Sequence, residues 1–407
     1  MKRYISSILL VCMSIIIIGV YYGKMTVNAN NFPEYVIKTL EGNETEMKDV
    51  TLSGYVEKDG ISNGVKITTN KTLYLSQQSY LQRMTGYNDP KIEKLKKEHR
   101  SFMRGKNNIY SFYQDADFIA YAATEYKSSS LDHSYKYVFN IGLLDLASNK
   151  DISFELGVPG EIFNSIGVLD VQLIQSQLKV VTENYMYGSD SNTDKAEIHL
   201  YTFDLANQKL LNDEVIITPQ QIKMGYEVIN SMEQNPSQPQ KSIIFIKRPK
   251  VVNNREGTAS NTEKAAIFEY VYDKNHLETI ELPEVLTDRM VTSQNYVNGD
   301  KLYVINHDAQ GMHLTTFTIT NQSITNDQTF PIKNVGTGAF QIVIKNDRVY
   351  VLATNDFEEN NSLNLPPQLF IGELKTGKTM YKGEVIPKKA DQKFNTKSLV
   401  LYSLEIN

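Results

Sequence analysis

Leu200-Tyr201-Thr202-Phe203-Asp204-Leu205-Ala206-Asn207-Gln208-Lys209-Leu210 and Leu314-Thr315-Thr316-Phe317-Thr318-Ile319-Thr320-Asn321-Gln322-Ser323-Ile324 follow one pattern, position for position. Each begins with a strand-forming run, passes through a short polar turn and starts a second strand. Looser copies run from Gly142 to Ile152, Ile267 to Leu277 and Leu369 to Met380. With Leu144, Phe203, Tyr270, Phe317 and Gly372 as equivalent positions, the intervals are 59, 67, 47 and 55 residues. Self-similarity at such a period marks a chain built from repeated supersecondary units.

Upstream of these hairpins lies a second set. Asn298-Gly299-Asp300-Lys301-Leu302-Tyr303-Val304-Ile305 matches Lys345-Asn346-Asp347-Arg348-Val349-Tyr350-Val351-Leu352, with an earlier copy at Gln175–Val181. Gly, Asn and Asp supply the turn conformations a tight hairpin needs. Two hairpins per repeat give four strands. One such meander cannot bury both faces, whereas sheets packed radially cover one another. The expected fold class is therefore all-β, a β-propeller of about six or seven four-stranded blades, with a solenoid or two β-domains as the alternative. Thr51–Tyr74 and Ile109–Tyr126 supply further strands, and Ser398–Ile406 is placed to pair with N-terminal strands. Over residues 50–407 the chain resembles extracytoplasmic β-propeller proteins in architecture. That resemblance implies a scaffold and no particular activity.

The N-terminus reads differently. After Lys2 and Arg3, residues Tyr4 to Tyr22 carry no charge, and Ile15–Ile18 form the densest apolar run. A segment of this length suits a membrane-spanning or signal helix, with the positive residues on the cytoplasmic side. Val27-Asn28-Ala29 offers a cleavage site after Ala29. The expected organisation is a signal anchor or signal peptide at 1–30, a linker at 31–49 and an extracytoplasmic domain at 50–407. The expected location is the cell membrane with the body outside, or a secreted form after cleavage. Cys12 is the sole cysteine, so the body has no disulfide and no thiol chemistry. Without residues 1–30 the net charge is −8, which argues against nucleic acid as a partner.

One helical insertion, 89–104, breaks the β-pattern. Asp89 caps it and Pro90 fits its first position. Ile92, Leu95, His99, Phe102 and Met103 share one face. Residues 91–106 hold seven Lys or Arg against two Glu. Lys94, Lys97 and Arg100 are thus candidates for contact with an anionic membrane or wall polymer.

Several motifs suggest chemistry that their context does not support. Gly372–Thr379 fits the P-loop pattern, but a strand follows it instead of a helix. Gly60-Ile61-Ser62-Asn63-Gly64 fits the nucleophile elbow, but again a strand follows. Asp190, Asn192 and Asp194 alternate as in a calcium loop, with Glu197 within reach, although Lys195 stands where the loop needs Gly. They are the candidate metal ligands, and Ca2+ is the one cofactor considered. His307, His313 and Asp308 have a spacing that zinc ligands also show. The other histidines, His99, His133, His199 and His276, are scattered. No local catalytic constellation stands out. The expected function is accordingly a non-enzymatic binding or regulatory module, anchored to the membrane and facing an envelope protein or wall polymer. The insertions Arg248–Lys264 and Asn355–Gln368 would serve as contact loops. The alternatives are an enzyme acting on a wall glycan or phosphodiester, with carboxylates drawn from distant repeats, and a structural assembly factor.

Overall fold

The computed structural model describes residues 9–20, 32–58, 60–78, 89–128, 135–160, 163–186, 195–222, 225–232, 237–251, 264–308, 310–332, 340–354, 366–389 and 398–406. The chain is all-β with few helices. Among the described residues, 26 strands form six antiparallel sheets of four or five strands.

Two compact units divide the chain. Unit 1 comprises residues 1–87, 307–313 and 328–407. It holds the sheet of β2 (Val50–Lys58), β3 (Ile61–Thr68), β4 (Thr72–Tyr74) and β26 (Leu399–Ile406), in the order β26-β2-β3-β4. The C-terminal strand thus completes a sheet begun by N-terminal strands, with Val50 opposite Ile406 and Val56 opposite Leu399. The second sheet of unit 1 has β22 (Phe340–Lys345), β23 (Arg348–Ala353), β24 (Gln368–Glu373) and β25 (Thr379–Pro387), with β1 (Tyr35–Gly42) as a fifth strand beside β25. Tyr35, Leu52, Ile67, Leu369, Tyr381 and Leu401 are among the residues of one apolar cluster drawn from both sheets. The stretch 31–49, read as a linker in the sequence, therefore carries β1 and a 3-10 turn over Glu44–Met47.

Unit 2 comprises residues 88–306 and 314–327. Its sheets are β5 (Phe112–Gln114) to β8 (Lys150–Gly157), with β6 (Phe118–Ser128) and β7 (Tyr135–Asp145) between them, and β9 (Ser165–Ile174), β10 (Gln177–Met186), β11 (Lys195–Asp204) and β12 (Lys209–Ile217). A third has β13 (Gln221–Ile222), β14 (Gly225–Ser231), β15 (Ser242–Val251), β16 (Ala266–Val271) and β17 (His276–Ile280). The sixth sheet, β18 (Gln294–Asn298), β19 (Lys301–Asp308), β20 (Gly311–Thr318) and β21 (Ser323–Phe330), has its hairpin tip at 307–313 assigned to unit 1.

The repeat seen in the sequence is a repeat of hydrogen bonding. In five sheets the last hairpin along the chain ends on a residue of positive φ: Asn149, Gln208, Asn275, Gln322 and Gly377. This is the left-handed residue that closes a type I turn with a bulge. In four of these sheets the residue at the start of this hairpin ties it to the hairpin two strands earlier. Leu146 N–H bonds Asp117 O, Tyr272 bonds Lys241, Ile319 bonds Asp300 and Leu374 bonds Asp347, at 2.8–3.0 Å. The P-loop-like stretch is one of these turns, between β24 and β25, and the elbow-like stretch is the start of β3.

Among the described residues, no helix is long and apolar enough to cross a membrane. The membrane-spanning helix expected over 4–22 is therefore not supported. The residues described there, 9–20, are helical. The helical insertion forms as α1 (Pro90–Glu98), with Asp89 accepting a 2.7 Å bond from Lys91 N–H. It stops at Glu98, and turns carry the chain through residue 105, where Gly105 takes a φ of +78°.

Candidate functional site

The site begins with the two faces of α1. Ile92 and Leu95 are buried against Phe102, Met103, Phe112 and Ile119, which fixes the helix on its sheet. Lys91, Lys94, Leu95 and Glu98 are spaced by three and four residues, so they form one stripe along the helix edge. Facing that stripe are Gln114 and Asp115 from the end of β5 and Ser237, Gln238 and Pro239. Together they line a cavity of about 390 Å³, within the range of small-ligand sites.

Each wall is held from behind. Gln114 N–H bonds Ser237 O at 3.1 Å, and Tyr113 forms a parallel bridge with Ser237. Gln238 O accepts from Gln172 Nε2 at 3.0 Å, and Gln172 Oε1 accepts from Gln240 N–H at 2.9 Å. Gln172, fully buried, also donates to Asp170 at 3.0 Å, and Tyr272 donates its hydroxyl to that same carboxylate. A buried carboxylate with this many donors is a rigid anchor.

Asp115 is the most constrained polar group of the cavity. Its Oδ1 accepts backbone N–H bonds from Asp117 at 2.8 Å and Phe118 at 2.7 Å, and its Oδ2 accepts the Tyr113 hydroxyl at 2.8 Å. Burial opposes its charge, yet the bonds from Tyr113, Phe118 and Asp117 together hold its carboxyl below the ordinary range. Burial, reinforced by Asp115, pushes the Tyr113 phenol well up. The pair therefore stays as carboxylate and phenol. Glu98 is exposed on the helix edge and lines the same cavity as Lys91 and Lys94.

The residues singled out in the sequence fare unequally. Lys94 lines the cavity, while Lys97 on the helix and Arg100 in the turn after it are exposed and do not line it. Asp190, Asn192 and Asp194 lie outside the described residues, as do most of the insertions 248–264 and 355–368. His307 and His313 do not converge. The His307 ring stacks on Phe340 with centroids 3.8 Å apart, whereas His313 contacts Asp308 at 2.8 Å and Thr329 Oγ1 at 3.0 Å. Among the described residues, no group of three or more His, Cys, Asp or Glu side chains is arranged to hold a metal ion. Asp115 and Gln238 leave no signal in the sequence, since they meet α1 only through strand pairing.

No family model matches the chain, and no curated protein matches it. Among solved structures, the β-propeller domain of the trilobed protease from Pyrococcus furiosus aligns at 14% identity over 69% of this chain and 70% of that one, with a TM-score of 0.32. A luciferin-regenerating enzyme aligns at 10% identity over 68% and 75%, with a TM-score of 0.32. Dipeptidyl peptidase 4 of Porphyromonas gingivalis aligns at 10% identity over 81% of this chain and 43% of that one, with a TM-score of 0.36. The non-enzymatic binding or regulatory module expected from the sequence is corrected at this point. The aligned chains are described as two peptidases, one through its propeller domain, and a luciferin-regenerating enzyme. At these TM-scores the alignments supply neither a substrate nor a mechanism for this chain.

Proposed function

We propose that this protein is an enzyme acting on an anionic envelope polymer, a wall phosphodiester or an acidic glycan, bound in the cavity along α1. The observation that carries this reading is the convergence of Lys91, Lys94, Glu98 and Asp115 on one cavity of about 390 Å³. In this reading Lys91 and Lys94 hold the anionic group, as ammonium groups do in a body of opposite net charge. Glu98, free at the helix edge, is the acid–base residue. Asp115 is kept ionised by its donors and stabilises positive charge developing beside it. Lys97 on the helix and Arg100 in the turn after it add basic charge beyond the cavity, for a polymer longer than the cavity. The six sheets are read as blades of one propeller, a scaffold that gathers such residues from separate repeats. The apolar segment 4–22 is read as the address that places the body outside the cytoplasm.

The test is turnover by the purified full chain of two substrates, a synthetic polyphosphodiester and a polyuronate. One of them should yield shortened products. Glu98→Gln should lower kcat at least tenfold with KM little changed, and Lys94→Glu should raise KM at least tenfold. Absence of turnover on both polymers would overturn the reading.

A further inference from the structure

The charges around the cavity along α1 balance. Lys91 and Lys94 bring two ammonium groups, and Glu98 and Asp115 bring two carboxyl groups. The backbone at the facing wall is already bonded. Ser237 O accepts from Gln114 N–H at 3.1 Å, Gln238 O from Gln172 Nε2 at 3.0 Å, and Gln240 N–H donates to Gln172 Oε1 at 2.9 Å. Choice among ligands therefore falls to the side chains.

Asp115 constrains that choice most. Three donors at 2.7–2.8 Å fix its two oxygens. Burial opposes its charge, but these bonds prevail and keep it a carboxylate. A carboxylate has about four acceptor positions, so about one is left for a ligand. A hydroxyl group satisfies such a position, whereas the oxygens of a phosphodiester, acceptors with a negative charge of their own, are repelled by it. Gln114 and Gln238 line the same cavity. Their side-chain amides offer a donor and an acceptor side by side, as adjacent hydroxyls on a sugar ring require. Leu95 and Pro239 add apolar area to the wall, suited to the C–H face of such a ring. The two ammonium groups then answer a single carboxylate by charge-assisted bonds. The lining thus asks for many hydroxyls and few charges.

We infer that the ligand of this cavity is a glycan carrying its charge as a sugar carboxylate, a uronate, and not a phosphodiester, with Lys91 and Lys94 on the carboxylate and Asp115 and Gln238 on ring hydroxyls. The inference names the substrate class of the activity proposed above and rests on reading this cavity as the substrate site. Calorimetric titration of the full chain with an oligouronate and with a glycerol phosphate oligomer of equal charge tests it, beside the turnover of the two polymers. The oligouronate should bind at least tenfold more tightly, and its carboxyl-reduced form should lose at least that factor, as expected for bonds to a charged group. Gln238→Ala, at an exposed position, should weaken oligouronate binding at least threefold with the circular dichroism spectrum unchanged. Asp115→Asn, whose amide oxygen can still accept the two backbone bonds, should weaken it further and leave the glycerol phosphate oligomer bound no more weakly. Tighter binding and turnover of the phosphodiester would overturn the inference and leave the proposed activity standing. An oligouronate bound through Gln238 but not cleaved would support the ligand class and overturn the activity. Binding of neither oligomer, or equal binding of the carboxyl-reduced glycan, would overturn the inference.

Discussion

Four of the five residues that close the second hairpins are not glycine: Asn149, Gln208, Asn275 and Gln322 have φ values of 52°, 51°, 49° and 48°. The left-handed region costs an ordinary L-residue about 1–2 kcal/mol, less for Asn, whose short side chain bonds locally. Glycine removes that strain at some entropic cost in the unfolded chain. Gln322→Gly should therefore stabilise the protein by about 0.5–1 kcal/mol, and Asn149→Gly by less. Urea midpoints with unchanged slopes would report both, and a lower midpoint for Gln322→Gly would count against the strain. The turns were legible in the sequence because the same strand–turn–strand pattern recurs, as in Leu200–Leu210 and Leu314–Ile324. The 2.9 Å contact of His199 Nδ1 with Asp213 Oδ1 was not. They are 14 residues apart and meet only through the β11–β12 register, which shifts between Ile198 and His199. No spacing rule in the sequence anticipates a bulge there.

At the scale of elements, α1 illustrates how a cap and a cavity are coupled. Asp89 bonds the Lys91 backbone at 2.7 Å, at the turn from which the Lys91 and Lys94 side chains leave. Asp89→Ala should cost about 1 kcal/mol of stability and loosen the helix end that presents both ammonium groups. Polymer binding should weaken in parallel, while unchanged binding with lost stability would separate the cap from the site. The helix itself was readable from its cap, its proline and its apolar stripe. β1 was not, since its outward positions beyond Tyr35 are mostly exposed or half-buried and its polar content reads as a linker. β13, with two residues, is too short to leave a pattern. The cavity needed three separated segments, and only α1 announced itself by charge.

For the molecule as a whole, unit 1 depends on its last strand. Leu399, Leu401 and Leu404 are buried in the same cluster as Leu52 and Val56. Fully burying one such side chain contributes about 1.5–3 kcal/mol, against a total stability of about 5–15 kcal/mol for a domain. A chain ending before residue 398 should leave β2 paired on one side only, with β3, and destabilise its sheet. Hydrogen exchange would show this as lost protection across Val50–Lys58. Retained protection there would mean that β26 is dispensable.

The same pairing sets an order of events during synthesis. Lys38 on β1 meets Glu384 on β25, 346 residues further along the chain. At about 5–20 residues per second, translation separates the two by roughly 20–70 s. Throughout that interval β1 lacks β25 and β2, paired with β3, lacks β26, while most of unit 2 is made in one uninterrupted stretch, 88–306. Unit 2 can thus acquire its sheets as it leaves the ribosome. Unit 1 can be completed only after β25 and β26 have emerged, so its early strands spend that time with exposed edges in need of shelter from other nascent chains.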